Sequence, residues 1–571
     1  MLFRALQTVG LFALPALSVT AQMVPGTRVI GGAEELGLDR DHRSRDFAIE
    51  EIACGAQGNV LWPGDQPTMK FRISNLTNQT LSADGKIKVI QYGTRGKPGD
   101  IWEPEFFRIA DGASVPFKVT ALAPRAHTEI TVNPTIPQTF GGYLLVAELT
   151  DHGQSFAASL VRTLAPDGGA VQFPAYALDL SGTSEEVARF FKRIGVKGAR
   201  AEINVFGVDD KEYDKKQERV TQLCKTLQDN EITLLVTTAS GSLPMPFGRA
   251  RPHLDEEGTF KETKSDLAWL PSADKEFEKW VTELCSTFGW PKGPVNALEL
   301  WNEPWEGISI SGWGADMLRY REIYSAMARG VEAARTHNGI QVLMGGCGSS
   351  SNTDDKFFSD GSDTFLKWLD FCSIHYQTMA ATPALMKDFI NRKSPNGPVR
   401  VWDTESWVAN SEDRVGLVVA SMHAMGQERA MGVYAGNVYE PQNVTLENGE
   451  KGTIVQAWST AAAVAASTKF VGQRRFNRLL FQNGLPWIFV FDGRSPELKD
   501  DGTVVVAGDL GGCYSRNLLL FRSVFGSANQ PSIDAADKAL AALPAGAPAT
   551  QRKALQSARD AATIMRGGSL T

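Results

Sequence analysis

Ala297-Leu298-Glu299-Leu300-Trp301-Asn302-Glu303-Pro304 reads as a short apolar strand that runs out into a polar pair and a proline. Upstream lie three comparable runs, at 176–180, 198–205 and 233–238, and downstream four more, at 341–344, 369–375, 399–402 and 431–434. Between them the pattern turns helical. One helix begins at Thr183-x-x-Glu186, a capping-box spacing in which each side chain satisfies an otherwise unpaired backbone N–H. Others cover 215–228, 273–288, 317–335, a segment capped by Thr382-Pro383, 414–427 and 458–470. Eight strands alternating with helices over 172–470 predict an α/β chain with a closed (β/α)8 TIM barrel, an open doubly wound sheet being the alternative. The segment after the third strand, which holds Leu243-Pro244-Met245-Pro246-Phe247, is too long for simple linkage.

The flanks follow other rhythms. One positive charge at Arg4, a short apolar run and the small residues Val19-Thr20-Ala21 predict a secretory signal peptide over 1–21, and hence a secreted or periplasmic protein. The run falls short of the roughly 20 residues that span a bilayer, and Pro15 interrupts it. Residues 22–45, rich in Gly, Asp and Arg, read as a linker. Over 46–165, alternating runs such as Met69-Lys70-Phe71-Arg72-Ile73 and Tyr143-Leu144-Leu145-Val146-Ala147, separated by turn residues, predict an antiparallel N-terminal β-sandwich with a supporting task. Three further runs place a small C-terminal β-domain at 475–528, incomplete as it stands. The tail 529–571 contains an Ala-rich helical stretch over 535–564 and stops where another strand is expected, which suggests truncation.

Composition narrows the function. Of 571 residues, 43% are apolar and 22% charged, enough for large cores and against overall disorder. A net charge of −7 without a basic stripe excludes the electrostatic footprint of a nucleic-acid binder. Six cysteines without CxxC spacing and seven histidines without HExxH argue against a metal site, and no cofactor is expected. Cys224 and Cys285, on consecutive predicted helices, are candidates for pairing in an oxidising compartment. Asn75, Asn78 and Asn443 stand in glycosylation sequons.

Barrel active sites form where strand C-termini meet the following loops. Asn302-Glu303 closes the fourth predicted strand and Thr404-Glu405 follows the seventh, so one barrel mouth brings two carboxyl groups together. Either glutamate by itself reads as a solvent-facing strand end. Together they match retaining glycoside hydrolysis, which needs one protonated and one ionised carboxyl roughly 5 to 5.5 Å apart.

Here the chain resembles the clan A glycoside hydrolases over about 172–470. Leu300-Trp301-Asn302-Glu303-Pro304, Ser373-Ile374-His375-Tyr376 and Trp402-Asp403-Thr404-Glu405-Ser406 are most similar to family 39, the β-xylosidase and α-L-iduronidase group. The resemblance implies that Glu303 is acid and then base, with a raised pKa, and that Glu405 is the nucleophile. It also implies that Asn302 bonds the sugar 2-OH and that Arg200 lies near the nucleophile. Tyr376 becomes the hydrogen-bond partner of the nucleophile and His375 a sugar or carboxylate contact. Without the resemblance, Arg200 reads as a structural ion pair with Glu202 or another acid.

Trp305 and Trp407 offer faces to stack on a sugar, or pack their loops. The clan's usual tryptophan after the eighth strand is missing, and Tyr434 or Tyr439 is the expected substitute. Arg249, Arg251 and His253 in the long loop fit either an acidic sugar or a solvated surface. The expected function is retaining hydrolysis of a β-linked carbohydrate. The alternatives are a binding barrel without turnover and a transglycosylase using the same residues.

Overall fold

The computed structural model describes residues 40–96, 104–174, 176–180, 185–203, 213–238, 274–302, 317–346, 364–375, 400–406, 427–432, 438–472, 474–481, 487–494, 504–508 and 530–549, with a few shorter pieces before, between and after them. In the first part, alternation produces two sheets. Met69–Asn75 buries Met69, Phe71 and Ile73 on one face, as the period of two in a pleated strand requires. It lies between Phe47–Cys54 and His127–Val132 in a three-stranded sheet. At the centre of a six-stranded sheet, Gly141–Leu149 is covered on both faces. Its Leu145 and Ala147 join the core shared with the smaller sheet, while Leu144 and Val146 pack with Tyr92, Phe156 and Trp458. The pair is sandwich-like, though not wholly antiparallel: Val60–Leu61 runs parallel to its partner Val161-Arg162.

Downstream, eight parallel strands are hydrogen-bonded in chain order. They are Tyr176–Asp179, Gly198–Ile203, Thr233–Thr238, Val295–Leu300, Leu343–Gly346, Phe371–His375, Arg400–Ser406 and Gln427–Gly432. The eighth returns to pair with the first through Tyr176↔Ala430 and Ala177↔Met431, which an open doubly wound sheet does not do. Helices are described after each of the first four strands, at Glu185–Ile194, Tyr213–Asp229, Asp274–Phe288 and Met317–Asn338, and Thr460–Phe470 follows the eighth. The helix expected at Thr382-Pro383 lies outside the described residues, as do Thr183 and most of 414–427.

The first of these helices shows why they form and dock. Glu185 and Glu186 complement its N-terminal dipole, Lys192 and Arg193 its C-terminus, and Gly195 at φ 79° ends it. Val187, Phe190, Phe191 and Ile194 are buried against the barrel core.

Several sequence expectations are corrected. The eighth strand begins at Gln427, inside the predicted helix end, because pairing with both neighbouring strands outweighs the weak strand preference of Gln427-Glu428-Arg429. The seventh strand continues to Ser406 rather than stopping at Trp402, so Glu405 lies within it. Cys224 and Cys285 are separate free thiols, both in the apolar core, and burial pushes each up to about 12. The tail helix Gln530–Ala541 ends ahead of Pro544, so the predicted stretch 535–564 is interrupted there, and helical residues are described again at 549, 551–552 and 555–556. Asn75 is 2% exposed and its amide donates to the carbonyls of Gln79, Leu122 and Ala123, which removes it as a glycosylation acceptor.

Arg474–Phe481, Trp487–Arg494 and Val504–Gly508 form a three-stranded antiparallel sheet, and the stretch 509–528 lies outside the described residues. The predicted signal peptide also lies outside them. Among the described residues no helix is long and apolar enough to cross a membrane.

Candidate active site

The barrel interior is built in layers by the period of two along its strands. Ala177, Leu235, Ala297, Phe371 and Trp402 form an apolar layer. The Phe371 and Trp402 rings stack at 4.0 Å, with Phe173 beside them. Two residues further along four of these strands the layer changes character: Thr237, Glu299, Ser373 and Thr404 are polar, and each is 0% exposed. Arg200 enters from the second strand at 4% exposure.

Arg200, Thr237 and Thr404 form one network centred on Glu299, while the Ser373 hydroxyl makes no hydrogen bond to it. Its Oε2 accepts from Arg200 Nε and Nη2, both at 3.4 Å, and from Thr237 Oγ1 at 3.2 Å. Its Oε1 accepts from Thr404 Oγ1 at 2.9 Å. Arg200 Nη2 also donates to Asn302 Oδ1 at 2.7 Å. Taking an ion pair out of water is costly, and such pairs persist where further hydrogen bonds satisfy the charges, as those from Thr237 and Thr404 on two other strands and from Asn302 do here.

Two backbone features aim the strand ends. Leu300 O accepts from Tyr320 Oη, and Trp301 N donates to Thr238 O at 2.7 Å, so the fourth strand is pinned to its last residue. Trp301 then adopts φ 66° while 1% exposed. A buried aromatic residue in the left-handed region costs of order 1–3 kcal/mol and persists only where its surroundings dictate it. The turn delivers Asn302 to Arg200. On the seventh strand, Ile374 pairs with Asp403 but His375 pairs with Glu405, leaving Thr404 as an extra residue. This bulge brings the Glu405 backbone level with the end of the sixth strand, the kind of re-aiming for which bulges are found beside active sites.

Of the residues singled out from sequence, Arg200 and Asn302 are in contact, and the backbones of His375 and Glu405 are register partners. Glu303, Trp305, Tyr376, Trp407 and Tyr434 lie outside the described residues. Arg200 meets Glu299 and not Glu202, which is exposed. Tyr439 is corrected: its ring packs on Phe190 and Phe191 at 5.1 and 5.5 Å in the core outside the barrel, because the strand it opens, Tyr439–Thr445, lies beside the first helix. Arg249 and His253 belong to short antiparallel ribbons, and Arg251 lies outside the described residues.

Glu299, Thr237 and Thr404 were not singled out. Their signal was present: a lone glutamate inside an apolar strand, two positions after Ala297, shares the inward face and demands partners there. Among the described residues no group of three or more His, Cys, Asp or Glu is placed to hold a metal ion.

No family model matches the chain, and no curated protein does. Solved structures similar to it include a conserved exported protein from Bacteroides fragilis, at 12% identity and TM-score 0.40 over 56% of this chain and 84% of that one. Another is the glycoside hydrolase family 30 subfamily 8 xylanase Xyn30A from Clostridium acetobutylicum, at 11% identity and TM-score 0.33 over 58% and 80%. A GH2 beta-galacturonidase from Eisenbergiella tayi aligns at 12% identity and TM-score 0.29 over 76% and 73%. Likeness at this level assigns no family and no activity to this chain.

Proposed function

We propose that the chain is an exported retaining O-glycosidase acting on β-linked carbohydrate, with a (β/α)8 barrel over 172–470 as its catalytic unit. The sheets over 46–165 and the strands from 475 onward are separate supporting modules in this reading. Glu303 is the general acid and then base, and Glu405 is the nucleophile. One observation carries the proposal. Asn302 and Thr404, the residues immediately before the two glutamates, are hydrogen-bonded into the same buried Arg200–Glu299 cluster. Anchoring the two strand ends to one rigid group holds the carboxyls that follow at a set separation, which double displacement requires.

In the first step Glu405 attacks the anomeric carbon while Glu303 protonates the departing oxygen. In the second, Glu303 takes a proton from water as that water displaces Glu405. Asn302, fixed by Arg200, presents its amide to the sugar 2-OH. His375 and Tyr376 line the nucleophile side, and Trp305 and Trp407 supply apolar faces.

The test is turnover of aryl β-glycosides and β-linked polysaccharides by the wild type, Glu303→Ala and Glu405→Ala, with azide as an external nucleophile. The expected result is release of phenol or reducing sugar by wild type and an inactive Glu405→Ala. Glu303→Ala should be rescued by azide, giving the β-glycosyl azide. Longer oligosaccharides as the main product redirect the assignment to transglycosylation. Binding without turnover on every substrate makes the barrel a carbohydrate-binding one. A Glu405→Ala variant at full rate removes the nucleophile assignment.

A further inference from the structure

We infer that Glu299 is a positioning residue that couples the strand ending in the acid/base to the strand carrying the nucleophile. The inference rests on the glycosidase reading above. Glu299 lies four residues before Glu303 on the same course of chain, and its Oε1 crosses the barrel to Thr404 Oγ1 at 2.9 Å. Thr404 is the bulge residue, and its extra place in the strand is what sets Glu405 level with His375. A displacement of about 1 Å at a reacting group costs on the order of a hundredfold in rate, so the contact that fixes this bulge bears on the chemical step.

The other Glu299 oxygen takes part of the Arg200 charge. Arg200 serves Glu299 and Asn302 together, at 3.4 and 2.7 Å. Full burial of the Glu299 carboxylate is an expensive way to fill a barrel, since apolar residues of similar shape stabilise as well or better. Charge at this site therefore answers to something other than packing. With Glu299 neutralised, more of the Arg200 charge acts on the carboxyls at the mouth and favours their ionised forms, moving both to lower pKa.

The test compares wild type with Glu299→Gln, Thr404→Val and Thr404→Ser, alongside Glu405→Ala, on whichever glycoside wild type turns over. Glu299→Gln is expected to lower kcat about ten- to a hundredfold with KM little changed. It should also move both limbs of the pH profile of kcat/KM to lower pH by about one unit. Thr404→Val should lower kcat without moving the limbs, and Thr404→Ser should restore it to within about threefold of wild type. A folded Glu299→Gln with wild-type kcat and unmoved limbs overturns the inference. If Glu299→Gln does not fold, the threonine pair decides: equal rates for Val and Ser at position 404 overturn it. An inactive Glu405→Ala beside such a result leaves the glycosidase reading standing, whereas a fully active Glu405→Ala, or no turnover of any substrate, removes that reading and this inference together.

Discussion

Glu51 is a second buried carboxyl, and its surroundings differ from those of Glu299. It is 2% exposed, and Asn59 Nδ2 and Gln456 Nε2 donate to one of its oxygens at 2.9 and 2.8 Å. Burial raises its pKa from 4.5 to about 7 against the pull of those two donors. A carboxyl that holds its proton more tightly in the folded state stabilises the fold fully below the unfolded value, and that contribution is lost as pH rises through 7. The difference corresponds to about 3 kcal/mol. Glu51→Gln, neutral at every pH, should therefore raise Tm by a few degrees at pH about 8 and leave it near wild type at pH about 4. Calorimetry at the two pH values checks this, and an equal shift at both would remove ionisation as the cause. At this scale Arg200 and Asn302 stand out in the sequence through the motifs that hold them, and the structure brings the two into hydrogen-bond contact. The acidic partner of Arg200 was not legible, since strand pairing rather than sequence proximity selects Glu299 over Glu202.

The barrel strands were legible as elements because buried parallel strands are short apolar runs bounded by polar residues. What packs inside them depends on facing residues of other strands. Gly345 shows the constraint: a Cβ there would stand 2.3 Å from Phe371 O and 2.6 Å from its ring. Gly345→Val should destabilise by about 1–3 kcal/mol through overpacking. Trp402→Ala removes the stack on Phe371 and opens a cavity, at about 3–5 kcal/mol. Urea denaturation checks both, and an unchanged midpoint for either would contradict the layered interior. The Thr404 bulge and the left-handed Trp301 were not legible, because neither residue type signals an irregular backbone; both arise where neighbouring strands and helices fix the chain on either side.

Across the whole molecule, the first pair of sheets and the barrel portion are joined by polar as well as apolar contacts. Gln456 Oε1 accepts from Ser159 N at 2.6 Å while its amide donates to Glu51. Ser159 Oγ donates to Ala457 O, and Tyr92 Oη accepts from Ser459 N. Arg193 stacks over Trp62 at 3.6 Å and bonds Asp65. Gln456→Ala leaves two buried groups short of a partner and should cost about 1–3 kcal/mol. In calorimetry it should also separate the melting of the two parts, and a single unshifted transition would show that Gln456 does not couple them. Read by itself, the sequence determined the order of the barrel strands, the change from alternating to strand-and-helix rhythm, and the placing of Glu303 and Glu405 directly after Asn302 and Thr404, because these are properties of contiguous residues. Only the tertiary structure decided the return of the eighth strand to the first, the level of Glu405 against the sixth strand, and the joining of Arg200, Glu299 and Thr404. Each of these depends on hydrogen bonds between segments far apart in the chain, whose register local sequence does not specify.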